Sequence, residues 1–79
     1  MQLDQPKSRN LNADNFHLFK VAVPKAKDVC IIQNDQWHHF KQHKDWFEGE
    51  VYVKKGSARL MARFNQGNQY GQLAEYTGK

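Results

Sequence analysis

Asp35, His39 and His43 recur every fourth residue, with His38 beside His39. On a helix that spacing brings side chains onto one face, and two imidazoles one turn apart can share a zinc ion. The glutamate that a zinc hydrolase places between its histidines is missing, and Cys30 has no second cysteine with which to build a structural site. A solvated histidine face that gains positive charge below pH ~6.5 is the expected reading. Neither a metal nor a cofactor is expected.

Other catalytic groups are sparse. Ser8 and Ser57 are the two serines; Ser57 follows Gly56 in a turn, and no base is placed by sequence near either. Glu48 and Glu50 project from one side of a strand and read as cross-strand partners of Met61 and Arg63 rather than as a carboxylate pair. Glycines 49, 56, 67, 71 and 78 are scattered, with no Gly-rich loop opening a helix to cradle phosphate. No enzymatic activity is expected.

A third set of residues carries more chemistry. Phe47 to Lys54, Ser57 to Phe64 and Gln69 to Tyr76 alternate in polarity, with glycine at the turns Lys55-Gly56 and Gln66-Gly67. Read as a three-strand meander, they set Val53 opposite Ala58, Val51 opposite Leu60, and Leu60 opposite Leu73. One face then holds Phe47, Val51, Val53, Ala58, Leu60, Ala62, Phe64 and Leu73 as a core. The other shows Tyr52, Arg59, Met61, Arg63, Tyr70, Gln72 and Tyr76, with Lys54 and Lys55 on its rim. Tyrosine rings stack on nucleic-acid bases while arginine and lysine neutralise the backbone, so Tyr52, Lys54, Lys55, Arg59, Met61, Arg63, Tyr70 and Tyr76 form the candidate binding surface.

The elements that must position this face come earlier in the chain. Residues Met1 to Asp14 are polar and read as a flexible arm; residues 15–79 read as one domain. Phe16 to Val23 and Val29 to Ile32 read as strands that can pair, split by Pro24 and a polar connection, with Cys30 as a small core residue. Asn34 or Asp35 would cap a helix running to about Trp46, its Trp37, Phe40, Lys44 and Phe47 at helical spacing over the sheet. The expected fold is α+β in ββαβββ order, a mainly antiparallel sheet with one helix on one face; a closed five-strand barrel is the alternative.

Composition sets the outer bounds. A chain of 79 residues is near the size at which one core gives marginal stability, and two Trp, three Tyr and five Phe supply large areas to bury. The lone cysteine suits a reducing, cytoplasmic setting, and no apolar run is long enough to span a bilayer. Net charge of +4 favours anionic partners. The expectation is a non-enzymatic module that binds single-stranded nucleic acid or a nucleoprotein complex. Alternatively, by analogy with small basic proteins of phages and mobile elements, it docks as an inhibitor on a larger host nucleic-acid-processing or defence enzyme, since Tyr, Arg, Met and Trp also dominate protein interfaces. A homodimer that buries the face against itself is the third possibility.

Overall fold

Asn34 and Asp35 do not cap a helix. In the computed structural model, which describes residues 2–79, both take positive φ, 51° and 62°. Two consecutive left-handed residues form the tight turn whose twist matches paired strands, and Asn and Asp tolerate that conformation better than most side chains. The strand Asp28–Gln33 therefore folds straight back into Gln36–His39, with Gln33 opposite Gln36 and Cys30 opposite His39.

Along the chain the described residues form β1 (Arg9–Leu11), β2 (Asn15–Ala22), β3 (Asp28–Gln33), β4 (Gln36–His39), β5 (Lys41–Gln42), β6 (Trp46–Val53), β7 (Gly56–Arg63) and β8 (Gly71–Gly78). No helix is present among them, so the α+β fold with a helix on one face is replaced by an all-β fold of two sheets, in the orders β1-β8-β7-β3-β4 and β2-β6-β5. All pairings are antiparallel except that of β1 with β8. The helical spacing that suggested otherwise is spread over two strands and the corner between β4 and β5: Trp37 points out from β4, Phe40 enters the core at that corner, and Phe47 is a core residue of β6.

The core lies between the sheets. Phe19, Val21, Val29, Ile31, Phe47, Val51, Val53, Ala58, Leu60 and Ala62 supply it by strict alternation. Phe19 stands at its centre, its ring 5.9 Å from Phe40 and 5.2 Å from Tyr76. Gly49, the strand partner of Phe19, makes room for this cluster: a Cβ there would overlap the Phe40 ring. Within the stretch read as an arm, β1 pairs with β8 and Asp4 bridges Val21, its N–H 2.6 Å from the Lys20 carbonyl. Met1, the first residue of that stretch, lies outside the described residues.

The expected meander is half right. β7 and β8 pair, but β6 lies in the other sheet, and the chain crosses from one layer to the other at Lys54-Lys55. Val51 and Val53 thus face Ala58 and Leu60 across the core rather than lying beside them. Likewise Phe16 to Val23 does not pair with Val29 to Ile32; β2 and β3 belong to opposite layers. Alternation alone cannot separate these cases, because inward-facing residues are apolar whether two strands are neighbours in a sheet or stacked over one core.

The crossing leaves backbone groups of β6 without a neighbouring strand, and Gln33 supplies what is missing. Its amide Nε2 donates to the Tyr52 carbonyl (2.6 Å) and its Oε1 accepts from Lys54 N–H (3.1 Å), while the residue itself is only 4% exposed. Replacing Gln33 with Leu orphans a donor and an acceptor in a buried corner. Orphaned buried groups cost about 1–3 kcal/mol each, so the midpoint of urea denaturation should fall by a corresponding amount; an unchanged midpoint would mean that water serves those groups equally well.

Candidate functional site

Side chains on the outer face of the five-stranded sheet follow from the register. One row across the strands is Trp37, Ile32, Arg59 and Glu75; the next is His39, Cys30, Met61 and Gln72; Asp28 and Arg63 pair beyond it. Cys30 and Ile32 point to this face yet are 0% and 7% exposed, since they lie on a strand flanked on both sides by larger side chains. Trp37 remains 48% exposed, and Phe64 at the end of β7 is 49% exposed.

Tyr70, just before β8, folds over this surface. Its hydroxyl donates to Asp28 Oδ2 at 2.5 Å, and its ring meets Trp37 edge-on with centroids 5.0 Å apart. His39 stacks on Trp37 at 6.0 Å, and its Nδ1 lies 2.8 Å from the same Asp28 oxygen. A single carboxylate therefore holds two of the three rings, so that Trp37, Tyr70 and His39 form a fixed aromatic cluster. Arg63 donates to the Asn65 carbonyl and steadies the turn that brings Tyr70 back. The hydrogen bond to Asp28 raises the Tyr70 phenol above its ordinary value. Burial, with the charge of Asp28 adding to it, pushes the Cys30 thiol up to about 11. Thiol, imidazole and carboxylate thus share one face, but the thiol is buried and neutral, the opposite of an activated nucleophile.

Of the residues expected to form the surface, Arg59, Met61, Arg63 and Tyr70 come together here. Tyr52 does not: it pairs with Phe16 on the outer face of the other sheet, their rings T-shaped at 5.1 Å. Lys54 and Lys55 occupy the crossing between the layers. Tyr76 is 1% exposed in the core. The expected β7–β8 register is correct next to the turn, with Ala62 opposite Gly71 and Met61 opposite Gln72. A bulge between Leu60 and Met61 then shifts it by one, placing Ala74 rather than Leu73 opposite Leu60 and turning Tyr76 inward against Ala58. Burial accordingly raises the Tyr76 phenol.

Trp37 and His39 lie on a strand and not on the expected helix. The signal that places them is the Asn34-Asp35 dipeptide between two apolar runs, a hairpin mark. Without a helix, the fourfold spacing of the histidines has no common face. His38 points inward from β4, while His43 lies in the turn joining β5 to β6, stacked on Trp46 at 3.9 Å with Nε2 3.1 Å from Glu48 Oε1. Glu48 itself lies between Lys20 and Lys41, and Glu50 opposite Leu18, not beside Met61 and Arg63.

Fold and face together define a small two-sheet β protein with an ordered, solvent-facing aromatic cluster on its larger sheet. No protein-family model, curated protein or solved structure matches the chain. No helix among the described residues is long and apolar enough to cross a membrane.

Two titrations check this geometry. Replacing Asp28 with Asn should bring Tyr70 ionisation back toward the ordinary tyrosine value, seen as an earlier rise in ultraviolet absorbance during alkaline titration. Tyr70 and Tyr76 both have raised values in the fold, so their contribution to stability is present below the ordinary tyrosine value of ~10 and is lost as pH rises through the folded values; unfolding by alkali should be delayed in Tyr76→Phe. Cys30 should resist a disulfide reagent at pH ~8 in the native state and react at once in denaturant.

Proposed function

We propose that the outer face of the five-stranded sheet binds single-stranded nucleic acid, free or within a nucleoprotein complex. The observation that supports this reading is Trp37, half exposed and braced edge-on by Tyr70, on the same sheet face as Arg59 and Arg63. An exposed, immobilised indole is a stacking platform that loses little entropy when a base covers it, and any base offers a π-face. Stacking contributes about 1–3 kcal/mol per base, so Trp37 and Tyr70 with two phosphate contacts account for roughly micromolar affinity. The net charge of +4 acts in the same direction. A reduced, buried Cys30 suits a cytoplasmic setting.

A second reading, docking on a larger nucleic-acid-processing protein, draws on the opposite side of the molecule. Phe16, Leu18 and Tyr52 are 66%, 53% and 38% exposed and adjoin one another on the outer face of the three-stranded sheet. A cluster of this kind is commoner at protein interfaces than on free surfaces.

The first reading is tested by tryptophan fluorescence in a Trp46→Phe background, which leaves Trp37 as the reporter. Short oligothymidylate or oligouridylate should quench it at low salt. Trp37→Ala should weaken binding about 5- to 100-fold, measured by anisotropy of a labelled oligonucleotide. Arg59→Ala with Arg63→Ala should reduce the slope of log affinity against log salt by about 1.4. Absence of quenching at ~100 μM oligonucleotide would remove this reading and leave the protein partner.

A further inference from the structure

Trp37 and His39 turn their backbone N–H and C=O groups away from the rest of the sheet. Phe40 N–H donates to the Val29 carbonyl at 2.9 Å, so Phe40 and Val29 are a hydrogen-bonded pair. Bonded and non-bonded pairs alternate along an antiparallel ladder, which makes His38 with Ile31 and Gln36 with Gln33 bonded, and leaves Trp37 and His39 between them. The N–H and C=O of these two residues therefore point out of the sheet edge, and β4 is the last strand of its sheet. On the inner side, His38 Nε2 is buried without a hydrogen-bond partner.

We propose that β4 pairs antiparallel with β4 of a second copy of this chain, about a two-fold axis through His38. That register sets Trp37 opposite the partner's His39 and His39 opposite the partner's Trp37, so that the outward N–H of each donates to the outward C=O of the residue opposite. It also sets Asp35 opposite the partner's Lys41 and Lys41 opposite the partner's Asp35; both residues are exposed, and the charges are complementary at each end of the interface. A shift of one residue sets bonded positions against outward ones. A shift of two sets an outward residue against the Asn34-Asp35 turn or against Lys41, where the chain has already left for the other sheet. His38 falls on the axis, where its ring lies beside the partner's His38.

The proposal does not rest on nucleic-acid binding, and pairing leaves both indoles on the outer face, joining two aromatic clusters into one surface. Its test contains no nucleic acid, so its outcome is separate from that reading. Sedimentation equilibrium of the full chain at ~100 μM should give twice the 9.3 kDa chain mass. His39→Pro removes an N–H that the chain does not use internally, a substitution edge strands tolerate; it should give a monomer with unchanged far-ultraviolet circular dichroism. Asp35→Asn keeps a residue suited to left-handed φ and removes the charge, and should raise the dissociation constant about 2- to 5-fold. Without any variant, amide exchange at Trp37 and His39 should be slow in concentrated solution and fast on dilution. A monomeric wild type at ~100 μM, or concentration-independent exchange at these two amides, would overturn the proposal, as would a folded His39→Pro chain that remains dimeric.

Discussion

One carboxamide holds the corner on which the two-layer arrangement depends. A strand leaving its sheet exposes a donor and an acceptor that a continuing ladder would have satisfied, and a buried corner has no water to spare for them. Gln33, on the opposite sheet, meets both at Tyr52 and Lys54. The side chain thereby ties the end of β6 to the end of β3, and the residues on either side of it fall into place: Asn34-Asp35 turns the larger sheet back on itself, and Lys54-Lys55 carries the chain across. A longer or shorter polar group could not serve both contacts from that position.

The aromatic face depends in turn on β3 being buried on both sides. With Cys30 and Ile32 closed over by neighbouring side chains, the outer surface of the larger sheet is not a bare polar layer but the foundation for a second, thin layer built from Trp37, Tyr70, His39 and Met61. Asp28 organises this layer because one oxygen accepts from a phenol and meets an imidazole nitrogen. Ring positions are thus set by polar contacts, whereas the core between the sheets is set by volume, as the fit of Phe40 over Gly49 shows.

What the sequence makes legible is which way residues point; which strand lies beside which is another matter. The inward set Val51, Val53, Ala58, Leu60 and Ala62 is read correctly from alternation, as are the buried Phe19, Val21 and Val23 and the apolar faces of β3. Neighbours are misjudged because a short polar connection such as Lys54-Lys55 serves a hairpin or a crossing equally well. The helix is a different error: histidines and aromatics every three or four residues mimic one face of a helix, while the Asn-Asp pair that fits a turn also fits an N-cap. The bulge at Leu60/Met61 carries no strong local mark, yet it decides that Tyr76 is core and not surface. Four of the eight surface residues expected from sequence reach the candidate site: Met61, Arg63 and Tyr70 next to the β7–β8 turn, on the near side of the bulge, and Arg59 beyond it, whose outward direction follows from alternation along β7 itself.

The way β1 closes the larger sheet bears on how the chain acquires its shape. Arg9 to Leu11 lie against Tyr76 to Gly78, and Glu75 N–H donates to Ser8 Oγ, so early residues wait for late ones before either edge is complete. Three of the six strand pairings, β1–β8, β2–β6 and β3–β7, join segments remote along the chain, and contacts of that kind must overcome loop-closure entropy before they contribute. During synthesis the local hairpins β3–β4, β5–β6 and β7–β8 are the pieces able to form early. Until β8 is in place, the apolar side of β2 has no finished layer to cover it, so the nascent form exposes apolar surface that the folded chain hides.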